Sequence, residues 1–397
     1  MQTIKLYDEE PYGREFDAVV TEVRELSDGL HAIILDRTLF FPEEGGQSSD
    51  TGSINGYEVL HVTAGILEHS VRCSGDTFRV GDRVHGEINW EHRFSNMQNH
   101  TGEHILSGLL HSGWHSENTG FHLSDNIVTV DTEKELTQED IKRLEYEANR
   151  VVYRNLPVTC VYYEPSKLDG MEYRSKKEFE SQVRIVTIPG VDVCACCAPH
   201  VKNTGEVGII KIIGAIRHKG GMRFTILCGE RAYKYLSRLK EISDELTGLL
   251  SAGNDAMIPA VKRLLEENEA LKIKIKNGEA QRLKEDIKAI PEDSENAILF
   301  TGEIDNLVQR NAVNELARKH RGICAVFAAA GSKKADEPES YKYICSWPGG
   351  DAGEAAAFLK KEFNAKGGGS KEMVQGTVTA GKEQILKSLE VFHSTKK

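Results

Sequence analysis

Two pairs of potential metal ligands, His100-x3-His104 and Cys196-x3-His200, stand roughly ninety residues apart in a chain of 397 residues. If both pairs grip one ion, the fold must bring a helix and a distant loop to the same point. Residues 93–112 place Phe94, Met97, Ile105, Leu106, Leu109 and Leu110 at helical spacing. His100 and His104 therefore project from one face. His111 and His115 repeat the spacing, and His111 falls near the same face. In Cys194-Ala-Cys196-Cys197-Ala-Pro-His200 three thiols compete for one sulfur position, and spacing does not choose among them. The two pairs together make a nitrogen/sulfur set suited to tetrahedral Zn²⁺. The plain alternative is a buried thiol cluster beside an ordinary surface histidine. Glu103 precedes the second histidine, unlike the Glu of a His-Glu-x-x-His motif, and reads as a solvated helix carboxylate.

The 39% hydrophobic content is that of a folded chain, not a disordered one. Fifty Lys and Arg against sixty-one Asp and Glu give a net charge of −11, which argues against indiscriminate nucleic-acid binding. Basic character is local: the tail from Lys360 to Lys397 holds eight Lys against four Glu, and Arg217-His-Lys-Gly-Gly-Met-Arg223 is a second cluster. Eight Cys are too sparse for a disulfide scaffold. No stretch approaches the ~20 apolar residues of a membrane span. The N-terminus also lacks a signal-peptide pattern, so a cytoplasmic location is expected.

The pattern along the chain predicts an α+β multidomain protein. Residues 1–90 alternate short β-branched runs with turn signals and suggest a small β-barrel. Residues 91–229 mix helices with strand-like runs at 158–163, 183–188 and 207–213. Here Thr137 and Asp140 suit a capping box for a helix running to about Leu156. Residues 230–290 are charged and helical, with Val261, Leu264, Leu265, Asn268, Leu271 and Ile275 near heptad spacing, as in a coiled-coil stalk or a plain helical linker. Asp255 is a possible cap there. Residues 291–397 alternate strands and helices in a C-terminal α/β domain. Two glycine-rich runs stand out. In Thr38-Leu-Phe-Phe-Pro-Glu-Glu-Gly45-Gly46-Gln47, the glycines let backbone amides approach a ligand and Gln47 offers donor and acceptor, although a hairpin between barrel strands is the simpler reading. Lys366-Gly367-Gly368-Gly369-Ser-Lys371 suggests an anion nest or a surface loop.

These segments, in this order, resemble a known family. Phe40-Phe-Pro-Glu-Glu-Gly-Gly-Gln-Ser-Ser-Asp-Thr-Gly resembles the Phe-Tyr-Pro-x-x-Gly-Gly-Gln-x-x-Asp-x-Gly signature of alanyl-tRNA editing domains. His100-Thr-Gly-Glu-His104 resembles their His-Thr-x-x-His. Cys196-Cys-Ala-Pro-His200-Val-x-Asn-Thr-Gly-Glu-Val-Gly is similar to their Cys-Gly-Gly-Thr-His-Val segment, with Cys197-Ala198 in place of Gly-Gly and Pro199 in place of Thr. Gly367-Gly-Gly-Ser-x-x-Met-x-Gln-Gly is similar to the DHH-associated C-terminal domain of alanyl-tRNA synthetases. The resemblance implies the longer, free-standing editing proteins.

It further implies a zinc ion on His100, His104, Cys196 and His200, favouring His100 over His111 as the partner of His104. Gly45, Gly46 and Gln47, with Thr38, would line an editing pocket. The implied activity is hydrolysis of Ser, or Gly, from tRNA(Ala). The chain has no upstream length for an aminoacylation domain and no Asp-His-His triplet, so editing without synthesis is expected. Thr38 and Gln47 are expected to meet the Ser hydroxyl, and amides near Gly45 and Gly46 the oxyanion. Arg217, Lys219, Arg223, Lys366, Gly367, Gly368, Gly369 and Lys371 are candidates for tRNA contact. A homodimer through the stalk or C-terminal domain is expected. Two rivals are a non-catalytic tRNA-binding protein with structural zinc and a zinc hydrolase of small amino-acid esters.

Overall fold

A computed structural model of the chain describes residues 3–27, 29–75, 77–175, 182–331 and 339–395. The turn residues Asp28 and Asp76 and the last two lysines of the basic tail, Lys396 and Lys397, lie outside the described residues. Two compact units divide the chain, Met1–Asp244 and Glu245–Lys397.

In the first unit, strands β1 (Glu15–Glu25), β2 (Leu30–Leu35), β3 (Gly52–Ile54), β4 (Tyr57–Thr63), β5 (Glu68–Arg72) and β6 (Arg83–Ile88) close a barrel in the order β1-β2-β5-β4-β3-β6. The short β-branched runs do form strands, and they alternate in burial: along β6, Val84, Gly86 and Ile88 are buried between exposed residues. Phe16, Val20, Ile33, Leu35, Phe40, Val59 and Val71 fill the interior. Gly86 is required there, because a Cβ would sit 2.3 Å from the ring of its cross-strand partner Phe16.

The barrel also encloses a histidine. His69 donates from Nδ1 to the Ile33 carbonyl at 3.0 Å and accepts at Nε2 from the Thr38 hydroxyl at 2.9 Å. Burial pushes its pKa down to about 4.

Helix α1 (Trp90–Trp114) follows, capped by the Asn89 side chain, which accepts from the His92 amide. It packs with α2 (Gln138–Arg154) on an antiparallel sheet of β7 (Asn118–Leu123), β8 (Val128–Thr132), β12 (Ile210–His218) and β13 (Gly221–Cys228), ordered β12-β13-β8-β7. The expected Thr137/Asp140 capping box opens α2. A second sheet, β9 (Thr159–Tyr163), β10 (Val183–Ile188) and β11 (Asp192–Ala195), is antiparallel throughout. Helix α3 (Gly229–Leu250) runs on into the second unit.

One strand begins later than its pattern suggested. Val207 closes a 3-10 turn (Thr204–Val207) and Gly208 turns the chain with φ +70°, so β12 starts at Ile210.

In the second unit, α4 (Met257–Ala289) leads to a five-stranded sheet of β14 (Ala297–Thr301), β15 (Cys324–Ala329), β16 (Ser340–Ser346), β17 (Lys366–Gly369) and β18 (Met373–Thr379), ordered β14-β15-β16-β18-β17. Helices α5 (Asn306–Lys319), α6 (Ala352–Phe363) and α7 (Lys382–Ser394) complete it. Asp255 does not cap α4: it lies in the 3-10 turn Asn254–Ala256, and Ala256 stands at the cap position.

The Lys366–Lys371 run is neither an anion nest nor a loop in its first part. Lys366–Gly369 is an edge strand on β18, and Gly367 and Gly376 face each other so closely that a Cβ on Gly367 would lie 2.6 Å from the Gly376 Cα. A nest needs alternating backbone handedness. None of the three glycines has a positive φ.

Candidate metal centre

Helix α1 is unusual in burying polar residues along one stripe: Asn96, His100, Glu103, His104 and Ser107 are all buried with Met97, Ile105 and Leu106. A helix of 25 residues does this only where the polar groups find partners. His100 and His104 stack with ring centroids 5.5 Å apart, and His200 approaches both edge-on at 5.0 and 4.7 Å. Cys196 Sγ lies 3.4 Å from His100 Nε2 and 3.4 Å from His200 Nε2. One ligand atom from each of His100, His104, Cys196 and His200 falls within 4.8 Å of all the others.

The other face of each imidazole is fixed by a separate hydrogen bond. His100 Nδ1 donates to Gln47 Oε1 at 2.7 Å, His104 Nδ1 to Asp192 Oδ2 at 2.8 Å, and His200 Nδ1 pairs with Thr101 Oγ1 at 3.0 Å. With Nδ1 engaged, each Nε2 lone pair is left for the cluster, the arrangement that orients metal-binding histidines. Asp192 is itself clamped by Arg174, whose Nε and Nη2 donate at 2.7 and 2.9 Å. Burial alone would raise the Asp192 pKa, but bonds from His104 and Arg174 outweigh it and hold the carboxylate below its ordinary value.

Burial, with the neighbouring imidazoles and Arg184, drives His100 and His200 well below their usual pKa, so both rings are neutral near pH 7. Burial raises the Cys196 thiol well above its usual pKa. Three imidazoles and a thiol match the donor set of a tetrahedral zinc site, and the thiol would lose its proton on binding.

Local chain chemistry explains why the loop holds this shape. Arg184 on β10 donates to the carbonyls of Cys196 and Ala198 at 3.0 and 2.8 Å, and the Cys196 amide donates to the Arg184 carbonyl at 3.0 Å. Ala198 is packed with Tyr7 and Phe41. The glycine-rich segment reaches the same place by another route. The Ser48 amide donates to the Leu123 carbonyl at 2.9 Å and the Leu123 amide to the Gly46 carbonyl at 2.6 Å, which ties residues 46–48 to the end of β7. Gly46, with φ +82°, lies against the Phe121 carbonyl, 2.5 Å from where a Cβ would be, and the corresponding point on Gly45 is 3.4 Å from Cys197 Sγ. The base of this segment is anchored by a fully buried ion pair: Asp50 accepts from Arg93 Nε and from the Phe41 amide.

Of the residues singled out in the sequence, Gln47, Gly45 and Gly46 are thus brought to the cluster. Gln47 Nε2 is buried and has no hydrogen-bond partner among the described residues, while its Oε1 holds His100. Thr38 is committed to the barrel: it donates to His69 and accepts from the Phe40 amide at 3.1 Å. Among the thiols, Cys194 groups with His104 and Asp192, and Cys197 faces Gly45, leaving Cys196 against the imidazoles. His111 is exposed and paired with Glu117, outside the cluster.

Glu103 is not the solvated carboxylate its position suggested. It is 4% exposed, accepts from Ser107 and Asn118, and its Oε2 stands 4.0 Å from His104 Nε2. The residues that sequence reasoning missed are Asp192, Arg174, Thr101 and Arg184. Their only sequence signal was proximity to the two motifs.

On the basic hairpin, Arg217 is exposed and pairs with Glu135 at 2.9 Å, Lys219 sits at the β12–β13 turn with φ +48°, and both arms of Arg223 are held by Asp131. Lys366 and Lys371 are exposed. Among the described residues no helix is long and apolar enough to cross a membrane.

Comparison with known proteins completes the description. Residues 183–239, which carry the Cys196–His200 loop, match the family described as threonyl and alanyl tRNA synthetase second additional domain. Residues 11–92, the barrel, match that described as tRNA synthetases class II (A). The chain is 30% identical over 404 residues to the alanyl-tRNA editing protein AlaX-L of Pyrococcus horikoshii, covering 96% of each. It is 30% identical over 431 residues to the alanine–tRNA ligase of Methanoregula boonei and 28% over 395 residues to that of Thermotoga maritima. It spans 44% and 45% of those two ligases, less than half of each.

Proposed function

Because the chain belongs to the alanyl-tRNA editing family, with which it aligns along nearly its whole length, we propose that it hydrolyses the ester joining Ser, or Gly, to tRNA(Ala). The observation that carries this reading is the pairing of a buried three-imidazole, one-thiol cluster with an unsatisfied amide, Gln47 Nε2, at its edge. A buried donor without a partner costs free energy unless a ligand completes it, so its persistence beside the cluster marks a place for a polar substrate group.

His100, His104, Cys196 and His200 would hold Zn²⁺, which when bound supplies a Lewis acid for a carbonyl oxygen or lowers the pKa of a water. The protein's own part is positional. Asp192 and Thr101 keep His104 and His200 in the tautomer that presents Nε2, and Gln47 does the same for His100 while offering its Nε2 hydrogens to the substrate. Gly45 and Gly46, exposed and without side chains, let the ester approach their backbone amides, a role worth about 3–4 kcal/mol per donor in measured oxyanion holes. A pocket that bonds the Ser hydroxyl leaves buried groups unpaired when Ala enters, and such sites discriminate by ~10⁴ or more. The exposed Arg217, Lys219, Lys366 and Lys371 are suited to phosphate contact, Arg217 and Lys219 more than the fully engaged Arg223.

Deacylation of Ser-, Gly- and Ala-tRNA(Ala) by metal-stripped and zinc-restored protein, alongside His104→Ala, tests the proposal. Zinc-dependent loss of Ser-tRNA or Gly-tRNA, with Ala-tRNA spared and the variant inactive, supports it. Absence of turnover by a folded, zinc-loaded chain would leave a tRNA-binding protein with structural zinc. Activity indifferent to the tRNA would leave a hydrolase of small esters.

A further inference from the structure

Helix α2 turns Ile141, Leu144, Ala148, Val151 and Val152 into the core of the first unit and leaves its outer face bare. At about 100° per residue, Lys142, Tyr146, Arg150, Tyr153 and Arg154 fall within an arc of about 120° on that face. Tyr146 is 64% exposed and Tyr153 80%, so both rings are offered to solvent. Arg143 completes the face, its guanidinium 5.5 Å over the Trp114 ring. Among the described residues Lys142, Arg150 and Arg154 have no ion-pair partner. The carboxylates of the helix are placed elsewhere. Asp140 belongs to the capping box, and Glu145 accepts from Lys211 and from the Ile212 amide of β12. Glu139 stands in the first turn, about 10 Å before Tyr146 along the axis, and Glu147 is half-buried at the flank. In a chain of net charge −11, this face is a local reversal of sign.

We propose that the outer face of α2 docks an unpaired RNA strand, with bases stacked on Tyr146 and Tyr153 and phosphates met by Lys142, Arg150 and Arg154. This rests on the tRNA reading above. Two features commit the face to this occupant. First, cations alone suit any polyanion, but rings set between cations suit one whose charges alternate with flat bases. The two rings stand about 10 Å apart along the axis, with Arg150 between them. A duplex keeps its base faces inside the stack, so exposed rings gain contact only where bases are unpaired. An acidic peptide would use the cations and leave the rings idle. Second, the face is tied to the chain that carries a metal ligand. Just beyond Arg154, the Leu156 amide donates to Thr204 Oγ1 at 2.8 Å and the Thr204 amide donates to the Leu156 carbonyl at 2.8 Å. The Gly205 amide donates to Asn155 Oδ1 at 3.2 Å. Thr204 follows His200 by four residues, so RNA on α2 would be held by the same packed piece as the cluster.

Binding of deacylated tRNA(Ala) and of a short unstructured RNA to the full, zinc-loaded chain is measured by fluorescence anisotropy across a salt series. Tyr146→Ala combined with Tyr153→Ala should weaken both by roughly 25-fold or more, with the salt dependence unchanged. Tyr146→Phe with Tyr153→Phe should keep the original affinity, since stacking needs the ring and not the hydroxyl. Lys142→Gln, Arg150→Gln and Arg154→Gln together should instead flatten the slope of log affinity against log salt by ~2, at ~0.7 per lost phosphate contact. All five side chains are exposed, so the melting profiles should not move. tRNA binding that survives both sets of substitutions overturns the proposal and leaves the tRNA reading standing. A chain that binds no tRNA at all overturns both. Loss confined to the cation variant would also overturn the proposal, leaving a plain polyanion-binding face.

Discussion

Asp192→Asn is the sharpest test of how the cluster is held, because the substitution keeps shape and changes only a charge and one donor pattern. In the native site Asp192 Oδ2 receives His104 Nδ1–H at 2.8 Å and Arg174 Nη2 at 2.9 Å, while Oδ1 receives Arg174 Nε at 2.7 Å. All three partners are donors, and an asparagine has only one oxygen to offer them. If its NH₂ takes the Oδ1 position, it opposes Arg174 Nε. If it takes the Oδ2 position, it opposes His104 and drives that ring to the other tautomer, with a proton on Nε2 where the metal lone pair should be. The amide should therefore settle with its oxygen on His104, at the expense of one arginine bond and the buried countercharge.

Removing an outer partner of this kind weakens metal binding by ~10–100-fold, or about 1.4–2.7 kcal/mol. Stripping one member from a buried ion pair costs ~3–5 kcal/mol of stability. Here the loss should fall below that range, since the amide oxygen still accepts and the Arg174 side chain keeps 11% exposure. Zinc affinity is read by competition with a chromophoric chelator at neutral pH, and stability by urea unfolding of the metal-free chain. A variant that held zinc as tightly as the unchanged protein would refute the argument that the Asp192 charge supports His104 as a ligand, even if it unfolded more easily.

Gln47 separates two roles: Gln47→Glu keeps an acceptor for His100 and should retain zinc while deacylation falls ~10²–10³-fold, as for a lost oxyanion donor. Gln47→Leu should weaken zinc as well, by ~10–100-fold in the same chelator competition. Arg93→Met leaves Asp50 as an unpaired, fully buried carboxylate and should destabilise the first unit by ~3–5 kcal/mol in urea unfolding. His69 makes the chain acid-sensitive. Its folded pKa near 4 lies below the unfolded value near 6.5, so the unfolded chain binds the extra proton and stability is lost as pH falls below 6.5. Between pH 6.5 and 5 this single group accounts for about 1.6 kcal/mol, measured as the difference in pH slope between the unchanged chain and His69→Gln.

The helix-end signals and periodic runs were legible because they are local. Thr137 and Asp140 specify a cap within four residues, and the alternation along β6 or the spacing from Phe94 to Leu110 reports which face meets a core. The same locality made the ligands visible in pairs: four-residue spacing fixes that His100 and His104 share a face, whatever the rest of the chain does. What brought the pairs together was not local. Cys196 comes to His100 from 96 residues away, through β10 and β11 and the grip of Arg184 on the loop.

The selection of one thiol from three was also tertiary. Cys194 faces Asp192 and Cys197 faces Gly45 only because the strand ends at Ala195 and the loop then turns under Tyr7 and Phe41. Glu103 and the Lys366–Gly369 run were misread for related reasons. A carboxylate on a helix has solvated and buried solutions with identical sequence, and the buried one required Asn118 from β7. A glycine run suits a nest and a close strand pair equally well, until the Gly376 backbone arrives on the other side. Sequence alone determined the donor types, their pairing and the elements that carry them, since these depend on backbone period. The partners that fix each imidazole's proton, and hence which nitrogen is free, lie 53, 88 and 99 residues from their rings and were decided only by the folded chain.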